Sequence, residues 1–377
     1  MGNLHTSEQL RKQKVTCDIQ ITNQDNSNHK LLFLKENRTE NFVLAAEQQP
    51  FTQNFITIPN VLHVNKRCNM MKFGTYTFLP EKTEGFDFQL FRVKPEVGRR
   101  MPPREDMYSN IAIFGDNVTA RNHPDWISQS PLGPAWRTNN NFNVRWDILC
   151  HTQPEHRAEQ LDYIEDVARH SPGVWLNSIH FAEHGHCTCP RCNEKWKKSG
   201  LSWLEWRRKE VTDYMAEVSE RVRDRAKKKF VIGVLPDPVT SYERFGINFD
   251  DLAPLTDEFL VVMFSKNYAT PWYWEMLTRA FKKLFKEVPL NISLYVFGPG
   301  DDPKEVATPS ELLTVSVRMA RAGVDGLLYL TEKASQITDF QKAAIDKVEL
   351  RERLRSYGGQ PVQEYLDFVK GWEKIVQ

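Results

Sequence analysis

The stretch Trp175–Cys192, WLNSIHFAEHGHCTCPRC, concentrates the residue types that do chemistry. Glu183 is a carboxylate placed after an apolar run containing Leu176, Ile179 and Phe181. Cys187, Cys189 and Cys192 follow within six letters, with His184 and His186 just before them. A carboxylate at a strand end is suited to general acid or base work, provided its surroundings let it hold a proton near neutral pH. Clustered thiols are soft metal ligands, and zinc favours a tetrahedron of them. Three ligands lie in this one loop. The fourth is Cys150, if a helical crossover brings it back, or else His184 or His186. Four thiolates would make a closed, structural site. The isolated Cys17 and Cys68 are read as structural.

These groups need a scaffold. Short apolar runs at Ile111–Phe114, Phe230–Leu235, Phe259–Phe264, Ile292–Phe297 and Val324–Leu330 read as buried strands, together with the one leading to Glu183. Helical periodicity separates them. Thr152/Glu155, Ser202/Glu205 and Thr308/Glu311 each fit a capping box, in which hydroxyl and carboxylate satisfy free N–H groups reciprocally. This alternation calls for parallel βαβ units. Six strands from Ile111 onward, with two more among candidates such as Phe55–Val64 and Thr75–Leu79, complete a TIM (β/α)8 barrel. An open doubly wound sheet is the alternative, but no glycine-rich phosphate loop follows any strand. The barrel is assigned to residues 46–350, between a polar extension (1–45) and a C-terminal helical segment (351–377).

In such a barrel the active site lies at the C-terminal ends of the strands. Asp116, Glu183, Asp237, Asn267 and Glu332 are expected there, with Tyr268, Trp272 and Asp301 on the loops. Trp272, Tyr273 and Trp274 offer a stacking platform for a sugar ring, although aromatics also pack helices on strands. A long loop with Trp126, Trp136 and Trp146 precedes Cys150.

NVRWDILCHTQPEHRAEQLDYIEDVARH followed by FAEHGHCTCPRCNEKW resembles the family 42 glycoside hydrolases, the β-galactosidase group, and their barrel relatives. The resemblance implies zinc ligands at Cys150, Cys187, Cys189 and Cys192, and an acid/base role for Glu183. Three departures accompany it, one being a shorter segment between Glu183 and the first cysteine of the cluster. The family's strand-four motif is Asn-Glu, whereas Ala182 precedes Glu183; and Phe297 runs straight into Gly-Pro-Gly where a nucleophilic Glu is expected at strand seven. Glycoside hydrolysis needs a second carboxyl group. Glu332 is the first choice, then Asp237, then Asp301 or Asp302. The reading is therefore a glycoside hydrolase-like enzyme with a carboxylate pair at the mouth. The alternative is an inactive carbohydrate-binding or scaffold barrel that keeps its zinc. A zinc deaminase is disfavoured because the order of His180, Glu183 and the cysteines does not fit its signature.

The net charge of +1 excludes a global field for nucleic acid. The basic run Arg221–Lys229 is read as cations at a helix C-terminus. No apolar run approaches a membrane span, and the N-terminus lacks a signal-peptide layout. Gly2 with Thr6 fits only the short myristoylation pattern. The chain is read as cytoplasmic, with a carbohydrate ligand and with homo-oligomers allowed.

Overall fold

Eight short strands, some of them apolar after the first residue, close by their hydrogen bonds into a cylinder in the computed structural model. It describes residues 70–97, 99–141, 146–263, 271–296 and 307–376, plus the backbone of three N-terminal strands. Those three, Gln20–Thr22, Phe33–Lys35 and Phe42–Val43, pair antiparallel within a unit spanning Met1–Met70. The second unit, Met71–Gln377, holds the barrel.

Its strands are β1 (Lys72–Thr77), β2 (Phe88–Lys94), β3 (Tyr108–Ala112), β4 (Gly173–Asn177), β5 (Lys229–Val234), β6 (Glu258–Met263), β7 (Leu290–Tyr295) and β8 (Gly326–Thr331). All pair parallel, and β8 returns to β1 to close a TIM barrel. The run Phe55–Val64 lies outside the described residues. The second strand is instead Phe88–Lys94, which carries Arg92 and Lys94 and so lacks a clean apolar signature.

The helices are α1 (Asn117–Asn122), α2 (Pro154–Arg169), α3 (Pro190–Ser199), α4 (Trp203–Ser219), α5 (Ser241–Phe245), α6 (Phe249–Leu252), α7 (Pro271–Phe285), α8 (Pro309–Arg321), α9 (Ala334–Ile345), α10 (Val348–Arg355) and α11 (Gln360–Gly371). Both Ser202/Glu205 and Thr308/Glu311 form capping boxes at α4 and α8. Thr152/Glu155 does not. Gln153 is the N-cap of α2 without a side-chain cap, and Thr152, one residue before it, turns its hydroxyl to the cysteine sulfurs.

No helix is described between β1 and β2. The C-terminal segment covers that wall instead: Phe73 stacks on Phe368 at 3.8 Å, and Trp372 packs on Phe86 and donates to the Gly85 carbonyl at 3.3 Å. The barrel floor is polar. Glu258 accepts from Lys229 at 2.5 Å, Lys72 at 3.3 Å and Asn291 at 2.8 Å. A side chain at Gly326 would collide with the Asn291 amide, 2.1 Å from its ideal Cβ. Above this floor lies an apolar layer of Leu90, Trp175, Val231, Leu260 and Leu328. No helix among the described residues is long and apolar enough to cross a membrane.

Candidate functional site

The thiol cluster assembles from two excursions of the chain. After β3 the loop runs out through a small hairpin (Gln129–Ser130 with Gly133–Pro134). It then returns, bridging Gly115 to Ile148 and Ile127 to Leu149, and so delivers Cys150. After β4 the chain presents Cys187, then Cys189 as the N-cap of α3 with Pro190 at its first position, then Cys192 inside the first turn. A helix N-terminus favours negative charge and hence thiolates.

The four sulfurs all lie within 4.8 Å of one another. Cys150 Sγ is 3.5 Å from Cys192 Sγ and 3.7 Å from Cys189 Sγ. A tetrahedron with metal–sulfur bonds of about 2.3 Å has edges of about 3.8 Å, so the spacing fits a metal. Disulfides are much shorter, about 2.05 Å, and all four cysteines are free. Hydrogen bonds from Cys187, then Cys189 and Cys192, push the Cys150 thiol well below its ordinary value, while those same contacts raise Cys187 and Cys192. Cys189 is lowered as well, to about 7, so the protein favours the thiolate form in part of the cluster unaided, and a dication is what would let all four ionise. The cluster can bind a metal, with Cys150 in the fourth place; His184 is exposed and neither His184 nor His186 belongs to it.

Glu183 lies elsewhere than at a strand end. β4 stops at Asn177, and Glu183 sits on the following loop, before the cysteines. Asn177 and Ser178 therefore occupy the strand-four terminus that the resemblance assigns to Asn-Glu: the amide is present, and a hydroxyl follows it. Glu183 is half-buried and bound by two arginines. Arg244 Nε donates to Oε1 at 2.8 Å and Nη2 to Oε2 at 2.6 Å, while Nη1 donates to Asp237 Oδ2 at 2.9 Å. The fully buried Arg207 donates to the carbonyls of Glu183, Glu243 and Arg244, tying the two loops together.

Burial raises the Glu183 carboxyl, but the bonds and charge of Arg244 outweigh it and hold the group below its usual value. Asp237 is likewise lifted by burial and brought below its ordinary value by bonds from Thr240 and Arg244. The apolar, proton-retaining setting expected for Glu183 is replaced by a guanidinium. His180 is buried and its imidazole is pushed down to about 4 by that burial, so it is neutral.

The remaining candidates are dispersed. Asp116 caps α1, accepting from Val118 and Thr119, and pairs with the buried Lys94 at 2.8 Å. Its carboxylate is taken up inside the protein. Glu332 follows β8, partly buried, and its carboxylate has no hydrogen-bond or ion-pair partner among the described residues. Trp272 is 60% exposed and lines a surface groove along α7 with Met276 and Arg279, while Trp274 is buried in the core. Asn267, Tyr268, Asp301 and Asp302 lie outside the described residues.

Other groups, which the sequence did not single out, form a largely buried polar network within the barrel. Arg92 Nε donates to Tyr76 Oη at 2.9 Å and Nη2 to Glu96 Oε1 at 3.3 Å. Asn177 Nδ2 donates to that same carboxylate oxygen at 2.5 Å, and Tyr76 Oη donates to Asn110 at 2.6 Å. No local spacing signals this network, because its members come from four different strands and a loop.

No protein-family model matches the sequence, and no curated protein is similar to it by sequence. Among solved structures, the chain is similar to α-L-fucosidase isoenzyme 2 from Paenibacillus thiaminolyticus, with a TM-score of 0.53 and 11% identity, over 81% of this chain and 50% of that one. A β-galactosidase from the psychrophilic Marinomonas ef1 gives a TM-score of 0.47 at 10% identity, covering 78% and 61%. A GH42 β-galactosidase from G. stearothermophilus gives 0.44 at 10% identity, covering 70% and 51%. The chain spans about half the length of the fucosidase it matches. That likeness is one of fold: the protein is a TIM barrel of the kind on which that glycosidase is built.

Proposed function

We propose that the protein is a carbohydrate-recognising, glycosidase-like barrel in which Glu183 acts as an ion-pair anchor, and that its four-cysteine cluster holds a structural zinc. The observation that carries this is the Arg244 bridge to Glu183 and Asp237. A general acid must keep its proton near neutral pH, and a carboxylate gripped through both oxygens by a guanidinium does the opposite. The strand-four end at Asn177-Ser178 supports the same reading. Asn177, the least buried member of the polar network within the barrel, and the Arg92 guanidinium are amide and cationic groups of the kind that suit sugar hydroxyls. The carbohydrate class itself rests on analogy of fold. Zinc at Cys150, Cys187, Cys189 and Cys192 would pin the loop bearing Glu183 to the long loop after β3, a structural service with no open coordination position.

A second reading, hydrolysis with Glu332 as an essential carboxylate, is favoured because that carboxylate has no hydrogen-bond or ion-pair partner among the described residues. The test is a panel of aryl glycosides with a glycan array, run on the wild type, Glu183→Gln and Glu332→Gln at equal metal content. Glycan binding without turnover is the expected result. Turnover abolished by Glu183→Gln overturns the proposal, and turnover abolished only by Glu332→Gln establishes the second reading.

A further inference from the structure

The cysteine cluster has an outer layer with a defined polarity. Thr152, 3% exposed, places its hydroxyl 3.1 Å from Cys192 Sγ and 3.3 Å from Cys150 Sγ. Arg191, on the first turn of α3, aims Nε at that hydroxyl from 3.4 Å and bonds the Gln153 side chain through Nη2. A guanidinium only donates, and a hydroxyl has one proton. Thr152 therefore accepts from Arg191, and its own proton is left to point at a sulfur.

The remaining sulfurs are served by the backbone: Gln129 N–H donates to Cys187 Sγ at 3.2 Å, and Cys192 N–H to Cys189 Sγ at 3.5 Å. Thr152 is thus the hydroxyl donor shared by the other half of the cluster. Four thiolates around a dication leave two excess negative charges in a mostly buried site, and such charge is kept by donors and cations in the layer around the ligands.

We infer that Thr152 and Arg191 form an outer-sphere relay, guanidinium to hydroxyl to sulfur, that sets how firmly the cluster holds its metal. The inference rests on the metal reading above. Thr152 does not cap α2, a role in which its oxygen would accept from a helix N–H: that oxygen accepts from Arg191, and its proton is turned to sulfur. Thr152 and Arg191 are positioning residues and contact no metal themselves.

The full-length chain tests this. Metal content is measured by mass spectrometry, zinc release by a chromogenic chelator, and the thiolate-to-cobalt charge-transfer bands after cobalt replacement. Thr152→Val should weaken zinc retention by roughly 10–100-fold and shift the cobalt bands, while Thr152→Ser retains both. Arg191→Gln leaves the hydroxyl in place and removes its partner, so it should also speed release; it serves if Thr152→Val does not fold. Release and cobalt spectra in Thr152→Val or Arg191→Gln that match the wild type overturn the relay, with the metal reading intact. A wild-type chain that binds neither zinc nor cobalt overturns the metal reading and the relay together.

Discussion

Replacing Arg244 by Gln tests whether two loops of the mouth are held by charge. Arg244 makes three charge-assisted bonds, at 2.8 and 2.6 Å to Glu183 and 2.9 Å to Asp237. A hydrogen bond to a charged group contributes about 1.5–3 kcal/mol net. Water reduces that sum: the Arg244 side chain is 32% exposed, against 16% for Glu183 and 15% for Asp237. A loss of about 2–3 kcal/mol is the resulting expectation, between an exposed pair and a fully buried one. For a chain of this size that lowers Tm by about 5 °C.

The pH dependence follows from the carboxyls. Both are held below their ordinary values, so their stabilisation is complete above the unfolded-state values near 4 and is lost as pH falls through the folded-state ones. Calorimetry of wild type and Arg244→Gln should therefore show the full gap at pH 7 and a closing gap below about pH 4. A gap under about 1 °C, or one that stays constant into acid, refutes the reasoning.

His156 is buried, donates from Nε2 to the Ile113 carbonyl at 3.0 Å, and has its imidazole pushed down to about 4 by burial. The unfolded chain takes up that proton below about pH 6.5 and the folded chain does not, so the wild type should lose about 2 kcal/mol by pH 5 through this group. His156→Gln should flatten the fall in urea midpoint between pH 7 and pH 5; parallel curves would exclude the effect. Trp372→Ala should cost about 3–5 kcal/mol in urea unfolding, since its ring packs on Phe86, Tyr329, Phe340 and Phe368. A loss below about 1 kcal/mol would mean that the C-terminal segment is not part of the barrel wall.

The barrel was legible wherever a strand was apolar throughout, as at Phe230–Val234 and Phe259–Met263. It was obscured at Phe88–Lys94, because Arg92 and Lys94 find buried partners, Glu96 and Asp116, that no local pattern announces. The capping boxes at Ser202 and Thr308 followed from spacing alone, since both partners lie on one turn. Thr152 had the same spacing, but its oxygen has a competing donor in Arg191, 39 residues away, and its proton faces sulfur.

By itself the sequence determined what depends on short range: strand periodicity, helix starts, and the Cys-x-Cys-x-x-Cys loop as a ligand set. The tertiary structure alone decided the surroundings of Glu183. Its distance from the end of β4 depends on where pairing stops, and its ionisation depends on Arg244, brought to it from 61 residues downstream. A carboxylate's chemistry is set by the charge nearest it in space, and chain order does not determine that neighbour.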